Sequence, residues 1–487
     1  MNRLTKKEQT KSFIKQMPSK KRKLWLALII LAPAITVSVI LWLFTLHGNI
    51  GLFFWFPVFA YAILIVIGLS LAVPILAFLD LKIAIKKKNR KHMPSRIIWG
   101  LSVLAIIIPS ATFILIVSNA FHNAGDKAPQ LLICDGTGEH GIPNMAVTYW
   151  TQEARKDSLR WGPGSLSNLL EDDAPTNQHT FVFTGLLPNT TYIYQINEAG
   201  DIYSFKTPPA ENDRFRFAVS SDPHFGRSES RNDITIKLLE HIATPTNNFS
   251  SFFMLGDMVE YGFLDGEWKE GLDAISPYTS RIPFRPLIGN HDTVLGGNHY
   301  YLEYFYPEKM PLDTGTRLYQ HVKVNNINIF LLDLEWGIEE YLGAQQTWFE
   351  AQLATVSKSD WTIVMSHCFF YSSGTVTIDG TKWYDHPDMI RIFEPLFKEY
   401  GINMVFSGHN HHAEILQKDG VTYGVIGTMG GHPDPPASYI SPYSIWYQQI
   451  ADEDKFGFFE VDIDGNNASI TFRNQHYSNL YQITISK

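Results

Sequence analysis

FRFAVSSDPH, residues Phe215–His224, decides how this chain is read. Apolar side chains at Phe215, Phe217 and Val219 alternate with period two and predict a strand. Asp222 and His224 follow directly at its carboxyl end. The arrangement then recurs down the chain. Ser251–Leu255 (SFFML) ends at Gly256-Asp257, and Pro286–Gly289 leads into Asn290-His291-Asp292. Trp361–Ser366 (WTIVMS) ends at His367, and Ile402–Ser407 (INMVFS) ends at Gly408-His409-Asn410-His411. Ile327–Leu332 reads as a further strand, and Ile234–Ile242, Ala344–Leu353 and Met389–Tyr400 read as helices. Strands alternating with helices, with polar groups at the strand ends, form the geometry of a layered α/β enzyme.

Each cluster taken singly has an ordinary explanation: a Gly-Asp turn, a helix cap, a hydrogen-bonded core histidine. Five in order, each at the end of an apolar strand, do not fit packing. Two metal ions a few ångströms apart need about four protein donors each, and one carboxylate between them to screen their repulsion. Asp222, Asp257, His224, His367, His409, His411 and the amide oxygen of Asn290 supply that inventory. Gly256, Gly289 and Gly408 precede donors, where a residue without a side chain lets the backbone turn.

At these residues, over about 214–475, the chain resembles the calcineurin-like metallophosphoesterase superfamily, whose signature is this ordered series of five motifs. The resemblance implies two divalent or trivalent ions, a combination of Mn, Fe or Zn. One would be held by Asp222, His224, Asp257 and His411, the other by Asp257, Asn290, His367 and His409, with Asp257 shared. It also implies a phosphoric ester hydrolase working through a metal-bridged hydroxide. His291 would protonate the leaving oxygen, and Asp292 would orient His291.

Ahead of this domain, residues 128–209 show strand signals without a long helical pattern: Met145–Thr151, Thr180–Thr184, Tyr192–Asn197 and Tyr203–Pro208. The run GLLPNTTYIYQI followed by FKTPP resembles a fibronectin type III module. More narrowly, it resembles the β-sandwich that precedes the catalytic domain in purple acid phosphatases. A rigid spacer is the expected role, with Phe121–Ala128 as its linker. The motif details depart from that family. Its first motif resembles Asp-x-Gly, where this chain has His224. Its tyrosine stands three residues after the second aspartate, where this chain has Glu260, with Tyr261 one residue late. A coloured tyrosinate–iron bond is therefore not expected.

Three uncharged apolar stretches, Leu24–Leu46, about Phe53–Phe78 and Ile97–Ser118, are each long enough to cross a bilayer, which takes about 20 residues. They make residues 24–119 a three-helix membrane anchor behind a basic tail, residues 1–23. Lys and Arg cluster at 20–23 and 82–96, which predicts a cytoplasmic amino terminus and an extracytoplasmic catalytic domain, residues 214–487. Residues 120–487 carry 24 basic and 46 acidic residues, a net of −22, against −8 for the whole chain. That charge repels nucleic-acid polymers, and none is expected as a partner. Cys134 and Cys368 are too few for a disulfide framework and read as small buried residues.

The expected substrate is a small-molecule, lipid or polymer phosphoester. A phosphomonoester is preferred; a phosphodiester of a nucleotide, lipid or wall polymer is the alternative. A non-catalytic adhesion protein is a distant one, because every donor position is filled. Two aromatic inserts, Phe369–Pro387 and Gly430–Tyr447, and Arg227 are candidates for substrate contact.

Overall fold

The computed structural model describes residues 125–209, 214–376, 380–448 and 455–487. These fall within the second of the chain's two units, His122–Lys487. The expected anchor at 24–119 and the basic tail lie outside the described residues. Among the described residues no helix is long and apolar enough to cross a membrane.

Two large sheets face each other. The first runs β22 (Asn479–Ser486), β21 (Asn467–Asn474), β20 (Gly457–Asp464), β8 (Phe215–Ser220), β9 (Ser251–Met254), β10 (Phe284–Pro286), β1 (Lys127–Ile133), β2 (Met145–Arg155) and β5 (Thr176–Phe183). The second runs β11 (Gln320–Val324), β12 (Ile327–Leu331), β13 (Trp361–Ser366), β16 (Met404–Ser407), β18 (Val421–Ile426), β17 (Ala413–Lys418) and β19 (Ser444–Tyr447). Alternation along each strand sorts the side chains into layers. Phe215, Phe217 and Val219 point inward with Ile329, Ile363, Met365 and Phe406 to form the core between the sheets. The opposite face of the first sheet, including Ala218, Phe252 and Met254, is covered by α1 (Asn232–Ala243), α2 (Asp265–Thr279) and α3 (Asn298–Phe305). The opposite face of the second, including Phe330, Val364 and Val405, is covered by α4 (Ala344–Leu353) and α5 (Pro387–Tyr400). The result is an α/β/β/α stack.

Strand direction positions the chemistry. β8, β9 and β10 are parallel, and so are β13 and β16. Their carboxyl ends therefore open on one rim, where the polar clusters emerge.

The amino-terminal β region was expected as a sandwich standing apart. Instead, β1 pairs in parallel with β10, with Leu132 opposite Phe284, so that β1, β2 and β5 extend the catalytic sheet itself. A four-stranded sheet, β4 (Asn168–Glu171), β3 (Ser158–Pro163), β6 (Thr191–Ile196) and β7 (Ile202–Lys206), packs Leu159, Tyr194 and Phe205 into the same core. Buried Lys127, placed in the linker by the sequence, bonds Asp265 of α2 at 2.7 Å. Tyr194 Oη donates to the Ser280 carbonyl just past that helix, at 2.7 Å. The short strand signals were visible, but the edge-to-edge pairing was not, because backbone hydrogen bonds leave no pattern in side chains. Cys134 and Cys368 are free thiols and buried.

Candidate metal centre

All seven donor residues reach the rim, and their atoms sort into two groups. In the first, His411 Nε2 lies 3.2 Å from Asp222 Oδ1 and 3.1 Å from His224 Nε2. His224 Nε2 lies 3.5 Å from Asp257 Oδ2. In the second, Asn290 Oδ1 is 2.8 Å from both His367 Nε2 and His409 Nδ1, which are 3.1 Å apart. His367 Nε2 lies 3.4 Å from Asp257 Oδ1. The two oxygens of Asp257 thus face different groups.

Whether these residues fit metal ions is decided by their lone pairs. His367 Nδ1 faces the Leu255 carbonyl at 2.7 Å, and His411 Nδ1 faces the His432 carbonyl at 2.6 Å. A carbonyl only accepts, so both rings carry their proton on Nδ1 and turn the Nε2 lone pair into the cluster. His224 Nδ1 does the same against Glu260 Oε2 at 2.9 Å. Acceptors about 3 Å apart repel unless a proton or a cation lies between them. Asp222 Oδ1 is buried without any hydrogen-bond partner, the condition that a metal ion relieves. The donor set of imidazoles, carboxylates and an amide oxygen suits Mn, Fe or Zn.

The local backbone is bent to make this possible. Asp222, His224, Asp257 and His409 all have left-handed φ, at 59°, 48°, 51° and 67°. Such conformations are costly for residues with a side chain and cluster at functional sites. Two glycines permit the close approach. A Cβ on Gly289 would meet Asp257 Oδ1, and one on Gly256, where φ is 98°, would lie 2.7 Å from His367 Nδ1.

Electrostatics follow from the same crowding. Burial opposes ionisation of the Asp222 carboxyl, but the imidazoles of His224 and His411 outweigh it and hold the group well below the usual range. Asp257 is lowered too, where the charges of His367 and His291 overcome burial. Burial opposes a charge on His224, yet Asp222, Glu260 and Asp257 push its pKa up to about 10. Without metals, His224 therefore holds protons on both nitrogens, and metal binding must displace one of them.

His291 also reaches the rim, its ring 4.7 Å from that of His224 and partly exposed. Its backbone N–H donates to Asp257 Oδ1 at 2.8 Å, and its Nδ1 meets the Glu260 carbonyl at 2.8 Å. Asp292 does something different from what was expected of it. Its two oxygens accept the backbone N–H groups of Val259 and Gly289, at 3.2 and 2.9 Å. It ties the Asp257 loop to the Asn290 loop, and the group beside His291 Nδ1 is Glu260. The sequence showed Glu260 only as the residue standing where a tyrosine was absent; its reach to both His224 and His291 needed the fold.

The remaining candidates divide. Arg227 pairs with Glu260 and Glu229, at 3.7 and 3.5 Å. In the first aromatic insert, Tyr371 is buried in the core and His386 caps α5, whereas Trp383 stacks on His409. Trp336, which the sequence did not single out, stands edge-on to the same imidazole. Cys368 Sγ, next to His367, donates to the Trp336 carbonyl at 3.3 Å and brings it there.

Residues 215–413 match the family described as calcineurin-like phosphoesterase. The chain is similar to purple acid phosphatase 18 of Arabidopsis thaliana, 23% identical over 350 residues, covering 66% of this chain and 76% of that one. It is also similar to purple acid phosphatase 21 of the same plant, 26% identical over 296 residues, covering 56% of this chain and 64% of that one. Among solved structures, a purple acid phosphatase from yellow lupin (Lupinus luteus) seeds shares the fold with a TM-score of 0.60 at 18% identity, covering 74% of each chain. PhoD shares it with a TM-score of 0.57 at 11% identity, covering 76% of this chain and 91% of the other. Together with the two donor groups, these likenesses mark a purple-acid-phosphatase-like, dinuclear-metal phosphoesterase.

Proposed function

We propose that the chain hydrolyses phosphomonoesters at this rim, with Asp222, His224, Asp257 and His411 holding one metal ion and Asp257, Asn290, His367 and His409 the other. One observation carries the reading: the two oxygens of a single buried carboxylate divide between two sets of converging lone pairs. Bound there, the ions would lower the pKa of a water towards ~7 and offset charge on the phosphoryl oxygens.

The chain's own residues do the rest. Partners at Nδ1 of His224, His367 and His411 keep Nε2 as the nitrogen aimed at the cluster, so an arriving ion displaces a proton there without turning the rings. With the Nδ1–H of His291 held by the Glu260 carbonyl, the imidazolium form carries its second proton on Nε2 and gives that proton to the departing alkoxide oxygen. The Asp257–His291 backbone bond sets the distance between that proton and the shared carboxylate. Glu260 sits where a coordinating tyrosine would be needed for colour, and its carboxylate turns to His224 Nδ1 instead. The loaded protein should lack a tyrosinate absorption band.

The test is hydrolysis of p-nitrophenyl phosphate against bis(p-nitrophenyl) phosphate by the purified protein with Mn²⁺, Zn²⁺ or Fe. Metal-dependent turnover of the monoester at the higher kcat/KM supports the reading. Preference for the bis ester moves it to a phosphodiesterase. No turnover of either ester by protein carrying two ions per chain defeats it.

The three apolar stretches and the two basic clusters support an anchored protein with this domain on the extracytoplasmic side. Protease added to intact cells should cleave the catalytic domain; protection of that domain until lysis reverses the orientation.

A further inference from the structure

The two flanks of the rim differ in kind. Beyond His224 stand charged and polar groups: Glu260, Arg227 and His291. Beyond His409 stand rings. Trp383 stacks on the His409 imidazole, with centroids 4.9 Å apart and planes 27° apart. Trp336 meets the same imidazole at 5.4 Å and 81°, and meets Trp383 at 6.3 Å and 61°. Phe369 closes the back, 5.9 Å from the imidazole. The two indoles form an open corner whose apex is a donor of the second metal group.

This corner is built rather than incidental. Trp383 belongs to β15 (Lys382–Trp383), which pairs with β14 (Thr375–Val376). Its carbonyl accepts from Asn410 Nδ2, at 3.3 Å, and Asn410 lies between His409 and His411 in the chain. The Trp336 backbone is tied to Cys368 beside His367. Both indoles are therefore positioned through neighbours of the donor residues. Covering the core does not account for Trp336, which is 36% exposed at the mouth of a polar site. The rim continues as apolar surface beyond Trp383. Val376 and Ile440, each about half exposed, flank the Gly374–Tyr439 bridge, and Tyr384 stacks on Tyr439 at 4.2 Å.

We infer that the Trp336–Trp383 corner is a subsite for a planar aromatic substituent of the phosphoester, seated beside the phosphoryl group on the His409 flank. The inference rests on the proposed phosphoester chemistry of the same rim. An indole at a wet mouth offers an apolar face and π-stacking to a flat ring, and little to a polyol. The flat ring could come from an aryl ester or from the base of a nucleotide. Both present the same π-face.

The metal-loaded protein is assayed on phenyl phosphate, adenosine 5′-monophosphate and glycerol 2-phosphate, with Trp336→Ala and Trp336→Phe beside the wild type. In Trp336→Ala the kcat/KM ratio of an aromatic substrate to glycerol 2-phosphate should fall about 5- to 10-fold, mainly through KM. Trp336→Phe should retain most of that ratio. A fall confined to phenyl phosphate identifies an aryl ester, and one confined to the nucleotide identifies a base. If all three substrates lose the same factor, Trp336 only orients His409 and the subsite is refuted. A ratio within twofold of wild type refutes it equally. A wild type inert on all three substrates overturns the underlying phosphomonoesterase reading instead, which separates the two failures.

Discussion

Two buried histidine networks, one in the amino-terminal β region and one at the rim, are assembled from the same residue types and end in opposite states. His179 has Nδ1 2.6 Å from Asp172 Oδ2 and Nε2 3.0 Å from Thr151 Oγ1. Tyr149 stacks on its ring at 4.5 Å and donates to Asp157 Oδ2 at 2.7 Å, and Arg155 Nε reaches the same carboxylate at 3.0 Å. Each of these polar atoms meets a partner of the complementary kind, so the network is closed and strengthens the sheet. At the rim, atoms able to hold a metal ion meet one another. Nε2 of His224 faces Nε2 of His411, and Asn290 Oδ1 faces two imidazole nitrogens. An open network of lone pairs is costly without a cation, and that cost is the structural signature of a binding centre.

The largest expected effect tests the rim where the two donor groups meet. Asp257→Ala should take metal content from two ions per chain to one at most. It should lower turnover by more than about 10³-fold, since losing one charge-stabilising contact costs ~10²–10³-fold and this carboxylate serves both groups. Metal analysis beside a p-nitrophenyl phosphate assay gives both readouts; two ions retained in the variant would mean that Asp257 is not shared. His291→Ala comes next. It removes a proton donor and no metal donor, so turnover should fall ~10²–10⁴-fold at unchanged metal content. Loss of an ion in that variant would place His291 among the donors.

The rim was largely legible because parallel strands deliver their carboxyl ends to one side. A run such as WTIVMS followed by His367 therefore announces both the strand and its function. The β20–β22 meander and α2 were not legible in the same way. In α2, Trp268, Leu272, Ile275 and Thr279 line the buried face, but Gly271 and Pro277 interrupt the apolar pattern that identifies a helix. The pairing of β1 with β10 depends on backbone groups 152 positions apart, at Leu132 and Phe284, and no local pattern encodes it. At the site, the misplaced role of Asp292 has a similar origin. Adjacency to His291 in the chain suggested contact, whereas a left-handed turn at Asp257 brings Val259 N–H and Gly289 N–H to its oxygens.

A carboxylate behind a metal-facing imidazole tests whether the open network is tuned from outside. Glu260→Gln keeps the shape but withdraws the charge from His224 Nδ1. Affinity for the ion at the Asp222 group should weaken about 10- to 100-fold, as is typical for such supporting partners. The ion at the Asn290 group should bind as before, because neither His367 nor His409 bonds Glu260 in the contacts described above. Competition with a chromogenic chelator resolves the two steps. Equal weakening of both would show that Glu260 acts on the whole rim.

The smallest effect on catalysis belongs to the closed network, and there the sign of the comparison reverses. His179→Ala leaves the Asp172 carboxylate and the Thr151 hydroxyl buried with one partner fewer each. The cost should be ~1–3 kcal/mol of folding stability, the desolvation penalty of groups left short of a bond. Because β2 and β5 lie at the far end of the sheet from β8, beyond β9, β10 and β1, the strain has no short path to the metal donors. Denaturant midpoints should shift while kcat/KM and metal content stay near wild type. A His179→Ala protein that folds stably but loses ions would show that the two networks are coupled through the shared sheet, and that the β region regulates the rim.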